Sequence, residues 1–261
     1  MQLLDEVRAH CRSVADTARL VSIDLDAFQP PPDAPPEPPG GDADDVLQLD
    51  AINFGSGWFP TLRKRPGMSG YRTIAAAFAE HGRWSNAELR ALDAAAVAAA
   101  LGQDARHPLM RLYAEALRDL GRFLGERSAL DLVEAAGGSA ERLATELARG
   151  MRFFDDRGFY KRAQIVPSDL AGIAQLDDLD RLTIFADNLV PHVLRVDGVL
   201  RYDPELAAWI DAERVLPPGP AEQEIRACAV HACEQLAERA GIPARVLDVR
   251  LWNRGQSRRY K

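Results

Sequence analysis

The amino-acid pattern predicts a mostly α-helical protein, on three observations. Apolar residues recur at helical spacing through most of the chain. Helix-start residues precede those runs: Ser85-Asn86-Ala87-Glu88 is a capping box, Pro108 suits a first helical turn, and Ser128 and Ser139 can cap two more helices. No alternation of strand and helix patterns appears, which excludes a Rossmann or barrel architecture. A length of 261 residues allows a substantial core, and the expectation is one domain over 1–261.

Taken in order, Leu3, Leu4, Val7, Cys11, Val14, Ala18 and Val21 define an amphipathic N-terminal helix. The proline-rich stretch, residues 29–45, is expected to be a surface loop. Leu49 to Phe59 interleaves aromatics with Asn, Ser and Gly. Ser69 can cap an Ala-rich helix from about Thr73 to Glu80. Helix follows helix from Ser85 to Arg149, the first running on to Leu101, and Gly137-Gly138 separates the last two. Further on, Pro204 starts a short helix, Pro217 to Pro220 is a hard stop, and a long helix opens at Ala221. Val246–Trp252 alternates apolar residues with Asp248 and Arg250, which predicts a short strand or a last ordered turn. The basic end, Arg258-Arg259-Tyr260-Lys261, is expected to fray.

Bulk properties narrow the function. A net charge of −7 argues against a general nucleic-acid binder, which presents a dominant basic face. Cys11, Cys228 and Cys233 form no CxxC pair and read as reduced, partly buried thiols. The five histidines, His10, His81, His107, His192 and His231, are scattered and form no zinc motif. No apolar run reaches the roughly 20 residues of a membrane span, and no signal-peptide pattern opens the sequence. The expectation is a cytoplasmic, metal-free protein. Walker A, GxGxxG, GxSxG and kinase signatures are absent.

Two islands carry the candidate chemistry. Gly158-Phe159-Tyr160-Lys161-Arg162-Ala163-Gln164-Ile165 sets two cations directly after two aromatics. Leu182-Thr183-Ile184-Phe185-Ala186-Asp187-Asn188-Leu189-Val190-Pro191-His192 sets one carboxylate in an apolar run, and burial of Asp187 requires a partner. From pattern alone a lone Asp after an apolar stretch is more often an N-cap or a salt-bridge partner than a catalyst. Phe54 and Trp58, from their stretch alone, read more readily as core aromatics around a Gly-containing turn than as a binding surface.

Taken together, these islands form an ordered series with Asn53-Phe54, Trp58, Ser69-Gly70-Tyr71, Glu222-x-Glu224-Ile225-Arg226 and Leu251-Trp252-Asn253. The series resembles the motifs of the queuosine salvage family, the queuosine 5′-phosphate N-glycosylases, from about residue 46 to the C-terminus. FYKRAQI, and FAD followed three residues later by Val-Pro, are its most specific pieces. This chain departs in carrying Asn188 and Leu189 directly after Asp187, and Asn253 in place of an acid. Both exchanges remove a charge.

The resemblance implies a helical fold akin to helical DNA glycosylases and no metal or organic cofactor. It further implies hydrolysis of queuosine 5′-phosphate, a small-molecule substrate, to queuine and ribose 5-phosphate. No stable nucleic-acid complex and no membrane association are expected; the oligomeric state is left open. Carried over by position, Asp187 is the catalytic candidate. Phe54 and Trp58 would hold the base, and Tyr71, Lys161 and Arg162 would contact phosphate or ribose. Glu224 and Arg226 would support the wall as an ion pair. Asn53, Tyr160, Asn188, His192 and Trp252 complete the expected substrate-binding set. Two other readings stand beside this one: a non-catalytic helical module that binds a nucleotide or a modified tRNA, and a purine-nucleotide N-ribohydrolase without 7-deaza preference.

Breaking an N-riboside bond builds positive charge on C1′ and the ring oxygen. A fixed carboxylate below that carbon stabilises the charge without reorganising. A 7-deazapurine has carbon where a purine would be protonated at N7, so electrostatic stabilisation must carry more of the barrier. That reasoning weights Asp187 above any general acid.

Overall fold

The computed structural model describes residues 2–32 and 41–260. The chain is mostly helical, as expected, with a single two-stranded sheet among the described residues. It divides into two compact units of interleaved segments. The first comprises Met1–Glu37, Asp156–Gln164 and Asp178–Lys261; the second comprises Pro38–Asp155 and Ile165–Asp177.

Helix α1 (Leu3–Thr17) buries Leu4, Val7 and Cys11 on one face. The helix stops earlier than its periodicity suggests, and Val21 lies on strand β1 (Val21–Ile23) instead. The reason is tertiary. One oxygen of Glu224 accepts the N–H groups of Arg19, Leu20 and Val21 at 3.0, 2.7 and 3.2 Å, bonds that a continuing helix would take for itself.

The second unit opens with α2 (Ala43–Ala51), started by a capping box between Asp42 and Asp45. The expected loop over 29–45 therefore ends sooner than predicted, since residues 43–45 are helical; its residues 33–40 lie outside the described residues. Helix α3 (Gly70–His81) is longer than expected and is capped by Ser69, which accepts from Arg72 N–H. The helix expected from Ser85 to Leu101 is two: α4 (Asn86–Ala91) and α5 (Ala94–Leu101). Leu92 is extended, and the Asp93 side chain caps Ala96 N–H and restarts the helix. Helices α6 (Pro108–Leu124), α7 (Ala129–Ala135) and α8 (Ala140–Gly150) follow, and Ser128 and Ser139 cap the last two as predicted.

Helix α6 is the axis of this unit: α2, α4 and α5 pack on it. It buries Leu109, Met110, Tyr113, Leu117, Leu120 and Leu124, each worth about 1.5–3 kcal/mol if fully removed from water. A methyl at Gly121 would meet Leu89 Cβ at 2.7 Å, so glycine there lets α4 and α6 approach closely.

Helix α9 (Lys161–Leu170) holds the boundary between units, after Gln164. The first unit continues with α10 (Leu189–Val196), strand β2 (Leu200–Tyr202), α11 (Pro204–Asp211), α12 (Pro220–Ala240) and α13 (Ala244–Gly255). Strand β2 pairs antiparallel with β1, Val21 opposite Tyr202. Its axis is α12, against which α1, α10, α13 and β1 pack. Ala227, Ala229, Ala232 and the buried Cys228 and Cys233 keep that helix thin enough for neighbours on several sides.

Two C-terminal expectations are corrected. Val246–Trp252 is helical, within α13. Seven residues satisfy a period of two and a helical face alike, and packing of Leu247 and Leu251 decides for the helix. The expected fray is also absent over the described end: Tyr260 is buried and its hydroxyl donates to Asp197 at 2.7 Å. No described helix is long and apolar enough to cross a membrane.

Candidate active site

The first unit builds its site on the turn before α9 and the segment before α10. The turn is tight: Gly158 has φ +87° and Tyr160, unusually for a non-glycine residue, φ +48°. A Cβ at Gly158 would press on the His10 ring at 2.5 Å, so glycine is required there. The Asp156 carbonyl accepts from Phe159 and Tyr160 N–H at 3.1 and 2.9 Å. Tyr160 is buried and its hydroxyl donates to Glu6 at 3.3 Å, which makes it an anchor of the turn. The His10 ring meets Phe159 edge-on at 5.4 Å.

Arg226 joins this turn to the Asp187 segment. Its guanidinium lies 3.9 Å above the Phe159 ring. Its Nη2 donates to Asp156 at 2.6 Å, Nη1 to Glu222 at 3.1 Å and Nε to the Ala186 carbonyl at 2.9 Å. The expected Glu224–Arg226 support pair is thus corrected: Arg226 pairs with Asp156 and Glu222, and Glu224 binds the backbone N–H groups of Arg19, Leu20 and Val21. Residues 224 and 226 of a helix point about 200° apart, so a pair between them was geometrically disfavoured.

Polar side chains fix the stretch 183–187 almost residue by residue. Gln164, with no exposed surface, accepts from Thr183 N–H at 2.9 Å and from its hydroxyl at 3.1 Å, and donates to Phe159 O at 2.8 Å. Asp248, only 5% exposed, accepts from Phe185 N–H at 2.8 Å. Each such bond contributes a net 0.5–1.5 kcal/mol or so, but a buried donor left unmet costs about 1–3 kcal/mol. The segment therefore has one favoured path.

That path ends at Asp187. One oxygen, Oδ1, accepts from Leu189 N–H at 2.8 Å at the start of α10, an Asx-turn bond one residue before the N-cap, Asn188. The other, Oδ2, lies 3.7 Å from Lys161 Nζ. The carboxylate side chain is 28% exposed while that of Lys161 is 12% exposed. Asp187 is thus oriented, flanked by a cation and reachable, rather than buried as the apolar run suggested.

The remaining expected residues fall as follows. Arg162 is half-buried on α9, and Asn188 is exposed at the N-cap of α10. His192 is half-buried on α10 and acts electrostatically on Asp211, whose carboxyl is held below its usual range chiefly by its hydrogen bond to Arg195. Trp252 is half-buried on α13. Asn53, Phe54, Trp58 and Tyr71 belong to the second unit. There the Phe54 ring stacks on Phe153 at 5.4 Å and meets Tyr113 edge-on at 5.1 Å, while its carbonyl accepts from the Tyr113 hydroxyl at 3.0 Å. Asn53 is half-buried beside it. Trp58 is 38% exposed. Burial raises the Tyr71 hydroxyl pKa, and the nearby carboxylates of Asp50 and Asp169 add to the rise.

Sequence reasoning missed Asp156, Glu222, Gln164 and Asp248 as site residues. Gln164 and Glu222 stood inside quoted motifs, but their partners lie at other points of the chain. Asp248 stood in an alternating pattern with nothing to mark it. No group of three or more His, Cys, Asp or Glu suited to a metal ion occurs among the described residues.

The helical frame of the first unit presents one oriented carboxylate, Asp187, beside a lysine. A family model described as queuosine salvage protein matches residues 42–261. The chain belongs to that family. It is 35% identical over 245 residues to the queuosine 5′-phosphate N-glycosylase/hydrolase of Sphaerobacter thermophilus, covering 81% of this chain and 75% of the other. Proteins of the same description from Dictyostelium discoideum and Mus musculus are 38% identical over 111 residues and 28% identical over 182. Those matches cover 38% and 58% of this chain, and span 35% and 54% of the relatives' own lengths.

Proposed function

We propose that this chain hydrolyses the N-glycosidic bond of queuosine 5′-phosphate, releasing queuine and ribose 5-phosphate for queuine salvage and tRNA modification. The single observation that carries the reading is Asp187: an accessible carboxylate at the FAD motif, fixed through Oδ1 by Leu189 N–H and flanked by Lys161. Such a group stabilises the cationic C1′ of an oxocarbenium-like transition state because its orientation is already set. Attack by Asp187 on C1′ and orientation of water by it are both compatible with this placement.

Lys161 lies close enough to Asp187 to act on the carboxylate itself, so phosphate recognition falls to Arg162. Tyr71, near two carboxylates, suits a ribose hydroxyl better than a phosphate. Phe54 is held rigidly by Phe153 and Tyr113, and Trp58 is exposed, as stacking surfaces for a base require. Asn53, Asn188, His192 and Trp252 keep their proposed substrate-binding roles; Tyr160, Glu224 and Arg226 support the site through the bonds described above. The protein works in the cytoplasm as one domain, without membrane association or a stable nucleic-acid complex.

The test is incubation of purified protein with queuosine 5′-phosphate and mass spectrometry for free queuine. Release of queuine, unaffected by excess GMP, is expected. Binding without release would instead identify a non-catalytic module, and equal turnover of GMP would remove the 7-deaza preference.

A further inference from the structure

The residues two places before and two places after Asp187, Phe185 and Leu189, are both gripped by one helix. On α13, Asp248 Oδ1 accepts the N–H of Phe185 at 2.8 Å, two residues before Asp187. Two turns further along the same helix, Gly255 lies against Leu189, two residues after Asp187. A Cβ at Gly255 would meet Leu189 Cδ1 at 2.8 Å and Val193 Cγ2 at 3.0 Å. Positions seven apart share a helix face and lie about 10 Å apart along the axis. Leu189 is also the residue whose N–H holds Asp187 Oδ1. Helix α13 therefore spans the Asp187 turn like a splint, with one polar contact and one steric contact.

From this geometry we infer that Asp248 and Gly255 are positioning residues for Asp187, acting through Phe185 and Leu189 respectively. The inference rests on the proposed role of Asp187 in glycosidic cleavage. Burying a carboxylate is costly, because its charge must be desolvated. What it adds over a neutral acceptor is a shorter, stiffer charge-assisted bond. Stiffness at that place matters, since a misplacement of about 1 Å at a reacting group costs on the order of 100-fold in rate. Gly255 is helical, so its lack of a side chain serves the approach of Leu189 and not a turn. Neither residue is required to touch the substrate.

The experiment measures kcat, KM and melting temperature on queuosine 5′-phosphate for Asp248→Ala, Asp248→Asn and Gly255→Ala. Asp248→Ala is expected to lower kcat about 30-fold with KM within about twofold, as displacement of a reacting group requires. Asp248→Asn keeps an acceptor oxygen for Phe185 but loses the charge-assisted bond, so its kcat should lie between those of the alanine variant and the parent. Gly255→Ala overpacks Leu189 and Val193, so its melting temperature should fall by a few degrees with the fold kept, while kcat drops at least about threefold as Leu189 is pushed aside. A folded Asp248→Ala with unchanged kcat, or with its whole loss in KM, overturns the inference. So does an Asp248→Asn as impaired as the alanine variant. Should Asp248→Ala not fold, parental kcat in Gly255→Ala overturns it. Failure of the underlying reading looks different: Asp187→Asn would then turn over normally, whatever the α13 variants do.

Discussion

Lys161 and Asp187 stand 3.7 Å apart, and the lysine is the more buried of the two. A cation so placed acts directly on the charge of the carboxylate. Lys161→Met is therefore expected to lower kcat about tenfold, roughly 1.4 kcal/mol of barrier. The fractional loss should be equal on queuosine 5′-phosphate and on the unphosphorylated nucleoside. Steady-state kinetics on both substrates check this; a loss confined to the phosphorylated substrate would return Lys161 to phosphate binding. At this scale the motif series made Asp187, Lys161 and Arg226 readable from sequence. Their partners were not readable, because Asp248 bonds Phe185 across 63 positions and Asp156 bonds Arg226 across 70. Local spacing contains no information about such bonds.

Among the elements, α12 and α1 bury all three thiols. Burial pushes Cys11 and Cys228 up to about 12 from an ordinary value of 9.0, and raises Cys233 as well. The folded state thus holds these protons more tightly than the unfolded chain. Their contribution to stability is complete below pH 9, and is lost as pH rises from there through about 12. The native protein should leave all three cysteines unlabelled by iodoacetamide at pH 8.5, and its melting temperature should fall from pH 9 upward. Stoichiometric labelling of the folded protein at pH 8.5, or a melting temperature flat to pH 11, would contradict this. Caps were the readable part of the elements: Ser69, Ser85, Ser128 and Pro108 act within a turn of their own sequence. Helix ends set by distant groups were not readable, as with α1, where Glu224 draws the chain into β1.

In the molecule as a whole, the family match begins at residue 42, yet α1 and β1 lie before it. They supply Glu6 to Tyr160, the His10 ring to Phe159, and a face for α12. A chain starting at residue 42 would expose apolar residues of α12 and release the turn that carries Lys161. Such a truncation is expected to be insoluble or to lack a cooperative melting transition, measured by circular dichroism. A soluble truncation with parental melting temperature would show that the first unit does not need α1. The helical class was readable because periodicity and caps agree along the chain. The division into interleaved units was not, since it depends on contacts between segments far apart in sequence.

The most direct test replaces the carboxylate and keeps its shape. Asp187→Asn is compared with the parent for queuine release and for binding of queuosine 5′-phosphate. A kcat loss of at least about 100-fold, with affinity retained within a few-fold, is expected of a residue that acts on transition-state charge. Queuine release within about fivefold of the parent would contradict it, because an amide cannot supply the negative charge on which the proposed chemistry depends.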